Sequence, residues 1–226
     1  MAITAVHRHT ENCSLFDLIC EPVYMQNTNH LIIFARAPVY GRVKQRLARD
    51  IGKSAAHEFY HETLTALIAR LRHGPWKLTV SVATPGDQHH EVFNGIETSE
   101  QPFGDLGVRM KSVLNNYTSS HRIIIGSDIP DIEAEHVKHA FELLTNNDLV
   151  FGPATDGGFW LIGCSAAESK FEQQDQVFMN GVRWSTCHAL ADTLKTLPPH
   201  KRVATTCTLS DVDDLQAYQQ QRAGAI

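Results

Sequence analysis

Short apolar runs alternate with amphipathic segments from about residue 31 onward. The runs 31–35 and 121–126 predict buried strands, because each is rich in aliphatic residues and leads into a turn that contains Pro or Gly. Further strands are predicted at 77–83, 149–152, 159–163 and 202–206. Helices are predicted at 54–72, 105–116, 133–144, 186–197 and 213–222, the first of them from a stripe of Tyr60, Leu64, Leu67, Ile68 and Leu71.

This alternation is typical of an α/β fold, with a mostly parallel sheet covered by helices on both faces. The chain has 226 residues and shows no internal repeat or low-complexity linker, so we predict a single domain over residues 30–226. Residues 1–29 are polar and irregular, and they are predicted to form an extension outside the fold. The alternative is that the apolar patch 15–19 docks on the domain as a short helix.

The composition is that of a mildly acidic globular protein. Hydrophobic residues make up 42% of the chain and the net charge is −5, which argues against a dedicated nucleic-acid binder. Apolar runs fall well short of the ~20 residues that a membrane span requires. The five cysteines are scattered without C-x-x-C spacing, which argues against a disulfide framework and favours a reducing cytoplasm.

The loop after the first predicted strand is strongly basic for an acidic protein. In open α/β sheets, ligands bind in the loops at the carboxyl ends of the strands. Guanidinium groups match phosphate oxygens, so this loop predicts a polyphosphate site, and the alternative is a solvated basic face at a helix start. The candidate phosphate-binding residues are Arg36, Pro38, Gly41, Arg42, Lys44 and Arg46.

The loop after the central strand is acidic and contains Asp128 and Asp131. A carboxylate at this position is suited to a hard divalent cation that also binds substrate phosphate, so Asp128 is predicted to be a ligand of Mg²⁺ or Mn²⁺. Both acids have an alternative role as turn or cap residues of helix 133–144, and for Asp131 the cap is favoured.

A third unusual loop contains Asp156, Gly157 and Gly158. Paired glycines allow the backbone to approach a ligand closely, so these residues are candidates for the acceptor side of a site. The alternative is an ordinary Asp-Gly hairpin turn between two strands.

One literal metalloprotease motif occurs in the first helix, where His57, Glu58 and His61 have H-E-x-x-H spacing. The longer motif with a third histidine is missing, and both histidines border the apolar stripe of the helix. With 13 histidines the expectation of such a match by chance is not negligible, so we favour a structural role over zinc hydrolysis.

Several segments together resemble the bacterial rSAM/selenodomain-associated transferase family, a domain-of-unknown-function group within the GT-A nucleotide-diphospho-sugar transferase superfamily. They occur in the family's order and cover about residues 31–215. They are FARAPVYGRVKQRLA (34–48), FGDLGVRM (103–110), IGSDIPD (125–131), GPATDGGFWLIG (152–163) and RWST (183–186).

The resemblance implies a Rossmann-like GT-A fold in which the first loop binds a nucleotide. It also implies a divalent-metal site that includes Asp128 and a second carboxylate near the C-terminus. That second segment is shortened in this chain, which leaves Asp213 and Asp211 both open as ligands, with capping of the last helix as the alternative for each.

The function implied by the resemblance is a metal-dependent transferase that uses a nucleotide or nucleotide-sugar donor and a small-molecule acceptor. Glycosyl transfer is the leading hypothesis, and the alternatives are nucleotidyl transfer with release of pyrophosphate and nucleotide binding without turnover. Catalytic roles are expected for Asp128 and Asp156, with Gly157 and Gly158 near the acceptor. All of this requires the basic first loop and Asp128 to meet at one site.

Overall fold

The computed structural model describes residues 29–168 and 177–224 of the chain. The predicted extension, residues 1–29, lies outside the described residues except for Asn29, and so does the patch 15–19.

The described strands form one seven-stranded sheet. They are β1 (His30–Ala35), β2 (Lys77–Val82), β3 (Glu97–Glu100), β4 (Arg122–Gly126), β5 (Leu149–Pro153), β6 (Phe159–Cys164) and β7 (Val203–Thr205). Their spatial order is β3-β2-β1-β4-β6-β5-β7. Strands β1, β2, β3 and β4 are mutually parallel, and β5 pairs in parallel with β7. The predicted α/β class with a mostly parallel sheet is therefore confirmed.

Strand β6 is antiparallel to both of its neighbours, β4 and β5. Its direction follows from the connection, because the short turn between β5 and β6 is a hairpin link and a parallel crossover needs a dozen residues or more. The hairpin interpretation of the Asp156 loop is therefore correct for its backbone.

Six α-helices surround the sheet in the described part of the chain. They are α1 (Leu47–Ile51), α2 (Lys53–Leu71), α3 (Leu106–Asn115), α4 (Ala134–Leu143), α5 (Ala189–Lys195) and α6 (Leu215–Gly224). Five of them match the predicted helices. The elements that the pattern missed are the one-turn helix α1 and the edge strand β3, whose sequence Glu-Thr-Ser-Glu has no apolar run.

The core lies on both faces of the sheet, because successive side chains of each buried strand point to opposite sides. In β1, Leu31 and Ile33 pack with α2 and α4 on one face. Ile32 packs on the other face with Met110 and Leu114 of α3. A smaller apolar cluster joins α1, the start of α2 and α6, and it includes Leu47 and Val212.

This arrangement brings the carboxyl ends of β1 and β4 side by side, since the two strands are adjacent and parallel. The basic first loop and the Asp128 loop therefore lie side by side at the carboxyl ends of these strands. No helix of the described segments is both long and apolar enough to cross a membrane.

Candidate functional site

Lys44 lies where the loop that follows β1 meets the loop that follows β4. Its ammonium donates to Asp128 Oδ2 at 3.1 Å and to Asp213 Oδ1 at 2.7 Å. The Lys44 side chain is only 4% exposed, whereas the two carboxylates are 46% and 40% exposed. Three predicted site residues from distant parts of the sequence thus meet at one point, where the two carboxylates bind the Lys44 ammonium.

The Lys44 ammonium is held in its charged form. Burial acts to lower the pKa of Lys44, but the negative charges of Asp128 and Asp213 and their hydrogen bonds outweigh it, so the pKa is raised. The backbone of Lys44 adopts φ of 45°, in the left-handed region that non-glycine residues rarely use. Such backbone strain is common at functional sites.

A hydrogen-bonded chain orients Asp128 from behind. The Ser127 hydroxyl donates to Asp128 Oδ1 at 3.0 Å, and it lies 3.1 Å from the Tyr60 hydroxyl. Tyr60 in turn donates to the carbonyl of Arg36 at 3.0 Å and accepts from the Arg36 amide at 3.2 Å. Tyr60 belongs to the apolar stripe of α2 and was predicted as a core residue, so this supporting role is not evident from the sequence.

Asp213 reaches the site because its segment pairs with the Asp128 loop. The backbone N–H of Val212 donates to the carbonyl of Asp128 at 3.4 Å. The capping alternative is wrong for both Asp211 and Asp213, since Asp214 accepts from the Ala217 amide at the start of α6. Of the two candidate metal ligands, Asp213 shares a cation with Asp128, and Asp211 points to a neighbouring cavity.

The first cavity, named here the basic lobe, has a volume of about 530 Å³. Its charged lining residues are Arg36, Arg42, Lys44, Arg46, Arg109, Asp128 and Asp213. Four of the five cations are those predicted from the first loop. Arg109 of α3 was not predicted as a site residue, because its position within the segment 103–110 gives no indication that it reaches the first loop.

The remaining first-loop candidates shape the loop and are not among the residues that line the basic lobe. The Pro38 carbonyl lies 2.7 Å from His57 Nε2, which anchors the loop to α2. Gly41 has φ of 72°, a conformation that favours glycine. His57 of the H-E-x-x-H motif is therefore engaged with backbone, and its ring centroid lies 6.3 Å from that of His61.

A second cavity of about 360 Å³, named here the apolar lobe, adjoins the first. The residues that line both lobes are Phe34, Leu106, Ser127, Asp128 and Ser185. The other residues that line the apolar lobe are Met110, Ile124, Gly126, Ile129, Ala154, Asp156, Gly158, Phe159, Trp160, Ile162, Trp184, Thr186, Ala189 and Asp211. The site is thus one cleft with two chemically different ends, and Asp128 lies at the boundary.

The hairpin turn after β5 supplies Asp156 and Gly158 to the apolar lobe. One carboxylate oxygen of Asp156 accepts from the Gly158 amide at 2.8 Å. Gly157 is not among the lining residues, and a Cβ there would lie 2.2 Å from the carbonyl oxygen of Cys187. Gly157 therefore allows the segment before α5 to pack directly on this turn.

Asp211 lies near Asp156 in the apolar lobe. Burial, followed by the charges of Asp213 and Asp156, raises the pKa of the Asp211 carboxyl above its usual value.

The prediction that Asp131 caps α4 was wrong. Glu133 occupies the cap position, and Asp131 accepts from Gln221 of α6 instead.

The RWST segment forms a hydrogen-bonded turn whose Ser185 lines both lobes. Arg183 makes paired contacts with Asp192 at 2.7 and 2.9 Å, and Thr186 Oγ1 donates to the Arg183 carbonyl at 2.7 Å. Ser185 has φ of 59° and is exposed to the cleft. The role of this turn was not predictable, because backbone strain leaves no signal in residue order.

The carboxylates of Asp128 and Asp213 are the groups that could bind a divalent cation. Among the described residues, no group of three or more His, Cys, Asp or Glu side chains could hold a metal ion. Asp128 and Asp213 nevertheless bind one cation together, the Lys44 ammonium. Mg²⁺ commonly takes one or two protein carboxylates and completes its shell with water and substrate phosphate, so this pair fits such an ion.

Comparison with protein families identifies the chain. Residues 65–186 match the family model described as "Uncharacterized protein conserved in bacteria (DUF2064)". The chain belongs to the DUF2064 family. No curated protein sequence matches this DUF2064 protein.

Solved structures confirm the fold of this DUF2064 protein. A protein of Desulfovibrio desulfuricans G20, assigned as a nucleotide-diphospho-sugar transferase, is 26% identical with a TM-score of 0.73, and the match covers 82% of each chain. A cytidylyltransferase from Leptospira borgpetersenii is 13% identical with a TM-score of 0.56, over 87% of this chain and 85% of the other. The second likeness shows the fold alone. The predicted GT-A superfamily membership and Rossmann-like fold are confirmed.

Proposed function

We propose that this DUF2064 protein is a divalent-metal-dependent transferase that uses a nucleotide-activated donor and transfers a glycosyl group. The observation that carries this proposal is the meeting of the basic first loop with Asp128 and Asp213 around one cation, beside a separate apolar lobe. The similarity to the Desulfovibrio nucleotide-diphospho-sugar transferase supports the choice of donor.

The donor would lie in the basic lobe. Its phosphates would meet the guanidinium groups of Arg36, Arg42 and Arg46, which are not buried and so are accessible to a ligand. Asp128 and Asp213 would hold Mg²⁺ or Mn²⁺, which when bound supplies positive charge against the diphosphate leaving group. Pro38 and Gly41 would act indirectly, by fixing the shape of the loop.

The acceptor would lie in the apolar lobe, with its reactive group toward Asp128. In glycosyl transfer, an acceptor oxygen forms a bond to the anomeric carbon, and the bond from that carbon to the diphosphate breaks. The nucleoside diphosphate leaves with the bonding electron pair, and the acceptor proton passes to a carboxylate. Asp156 and Asp211 both line this lobe and are the candidate proton acceptors.

Nucleotidyl transfer is the second candidate, because the fold is shared with a cytidylyltransferase and the same cleft would serve attack on the α-phosphorus. The product distinguishes the two reactions. Glycosyl transfer releases a nucleoside diphosphate, whereas nucleotidyl transfer releases pyrophosphate. Nucleotide binding without either product would leave a binding protein.

The experiment is a screen of nucleoside triphosphates and nucleotide sugars with Mg²⁺ and with Mn²⁺. Thermal shift identifies the donors that bind, since a bound ligand raises apparent stability by mass action. Chromatography and a pyrophosphate assay then identify the product for each donor that binds. We expect a nucleoside diphosphate as product, and binding that requires the metal.

Asp128→Asn tests the metal role, and Asp131→Asn is its matched control. Asp131 lies in the same loop but contacts Gln221 of α6. Asp128→Asn should abolish metal-dependent nucleotide binding while the circular dichroism spectrum is unchanged, and Asp131→Asn should bind normally. Equal metal-dependent affinity in the two variants, measured by calorimetry, would refute the role of Asp128.

A further inference from the structure

The two lobes of the cleft carry opposite charge. Five cationic residues line the basic lobe. None of the described residues that line the apolar lobe is Lys, Arg or His, and three of them are aspartates: Asp128, Asp156 and Asp211. Lys44 pairs with Asp128 from the basic lobe, but an anionic group in the apolar lobe would still face the carboxylates of Asp156 and Asp211, which is electrostatically unfavourable in a partly desolvated cleft.

The body of the apolar lobe is built from aromatic and aliphatic side chains. Phe159 and Trp184 meet edge to face with ring centroids 6.3 Å apart. Met110 and Ile124, which also line the lobe, belong to the apolar core on the same face of the sheet. The volume of about 360 Å³ lies at the small end of ligand cavities, so the lobe suits a compact apolar group.

Polar side chains also line this lobe. The Asp156 turn and the Ser185–Thr186 segment supply carboxylate and hydroxyl groups. These groups hydrogen-bond a hydroxyl or an amine, and carboxylates attract an ammonium ion.

We propose that the acceptor is an alcohol or amine with a compact apolar body, and that phosphorylated and carboxylated acceptors are excluded. This inference rests on the proposed function, because it takes the apolar lobe as the acceptor site. The apolar body packs against Phe159 and Trp184, and the hydroxyl or amino group lies toward Asp156 and Asp211. The anionic end of the reaction, the donor diphosphate, stays in the basic lobe.

Four compounds that share one phenyl ring test the charge selectivity. They are 2-phenylethanol, 2-phenylethylamine, phenylacetate and 2-phenylethyl phosphate, each titrated into the full chain and followed by ligand-observed NMR. We expect the alcohol and the amine to bind at least about tenfold more tightly than the two anions. Equal or tighter binding of either anion would overturn the proposal, and so would the lack of binding by the alcohol and the amine at 10 mM.

Two variants place the binding in the apolar lobe. Ala154→Trp fills the lobe and should abolish alcohol and amine binding, while Ala223→Trp on α6 is the control and should retain it. Asp211→Asn removes one carboxylate and should weaken amine binding about threefold or more with alcohol binding unchanged. Alcohol and amine binding that survives in Ala154→Trp, or an amine affinity that is unchanged in Asp211→Asn, would overturn the assignment.

The outcomes separate this inference from the proposed function. Nucleotide binding in the basic lobe is measured independently by thermal shift, and Ala154→Trp should preserve it. A chain that binds nucleotide but prefers phenylacetate contradicts only the acceptor inference. A chain that selects the alcohol and amine but binds no nucleotide contradicts the proposed function.

Discussion

Lys44 Nζ lies 2.7 Å from Asp213 Oδ1, and this ion pair joins residues that are 169 positions apart in the sequence. The same ammonium lies 3.1 Å from Asp128 Oδ2. It therefore occupies the position between the two carboxylates where a shared divalent cation would bind. A divalent metal would compete with the ammonium for the same oxygens, so it would have to displace Lys44 or bind beside it.

Lys44→Gln should raise the affinity for Mn²⁺ in the absence of nucleotide. The substitution removes the competing charge and leaves Asp213 only its longer ion pair with Arg46 at 3.8 Å, so we expect an increase of about tenfold or more. Electron paramagnetic resonance of free Mn²⁺ measures this directly. Arg49→Gln, which removes an exposed charge in α1, is the control and should leave the affinity unchanged. An unchanged affinity in Lys44→Gln would show that Lys44 does not compete.

The convergence of the first loop with Asp128 was predictable, because parallel strands that alternate with helices must end at one edge of a sheet. The partner of Asp128 was not predictable from pattern. Asp213 follows Asp128 by 85 positions and is positioned by a backbone contact of Val212, and sequence periodicity carries no information about such a contact. The family resemblance narrowed the choice to Asp211 or Asp213, and only the fold separates them.

Supporting residues were harder still to recognise. Tyr60 has the spacing of a core residue and is buried, so its hydroxyl contacts are invisible in the sequence. Glu133 was overlooked as the cap of α4, because the pattern locates a helix end only to within a few residues. The edge strand β3 lacks an apolar face, so its pairing with β2 depends on backbone hydrogen bonds and on the ion pair between Lys77 and Glu97.

Tyr60→Phe should destabilise the protein and loosen Asp128. The hydroxyl is buried and contacts both Ser127 and the backbone of Arg36, so its loss should cost about 1–2 kcal/mol of unfolding free energy. Urea denaturation measures this change. Tyr218→Phe is the matched control, since Tyr218 packs edge-on against Phe59 away from the cleft. Equal stability of the two variants would contradict the role given to the Tyr60 hydroxyl.

His30 should make the folded state sensitive to mild acid. Burial, with a smaller contribution from Lys77, lowers the pKa of His30 from 6.5 to about 4. Below pH 6.5 the unfolded chain therefore binds a proton at His30 that the folded chain does not bind. The free energy of unfolding is unaffected by His30 above pH 6.5 and decreases as the pH falls toward 4. Allowing for solvent screening, we expect a loss of about 1–2 kcal/mol.

The test for His30 compares urea denaturation at pH 7.5 and pH 4.5. His30→Gln should lose less stability between these values than the unaltered chain does, and the difference isolates His30 from other titrating groups. The exposed His200, replaced by Gln, is the control and should behave like the unaltered chain. An identical pH dependence in His30→Gln would contradict this account.

Ser185 offers a way to separate backbone strain from substrate contact. A φ of 59° costs a non-glycine residue about 1 kcal/mol, so Ser185→Gly should raise the free energy of unfolding by roughly that amount, whereas Ser185→Ala should not. Both variants remove a hydroxyl that lies between the two lobes. If that hydroxyl contacts the reacting groups, both should lower kcat about tenfold with nucleotide affinity unchanged.

The two variants of Ser185 therefore share the kinetic effect and differ in stability, a combination that a purely structural role cannot produce. Ser119→Ala changes an exposed serine in the loop before β4, at the amino end of that strand and away from the cleft, and should affect neither property. Turnover at the unaltered rate in Ser185→Gly would mean that the strained turn serves only to close the chain around the cleft. A loss of activity in Ser185→Gly alone would instead point to the rigidity of the turn, since glycine is the more flexible replacement.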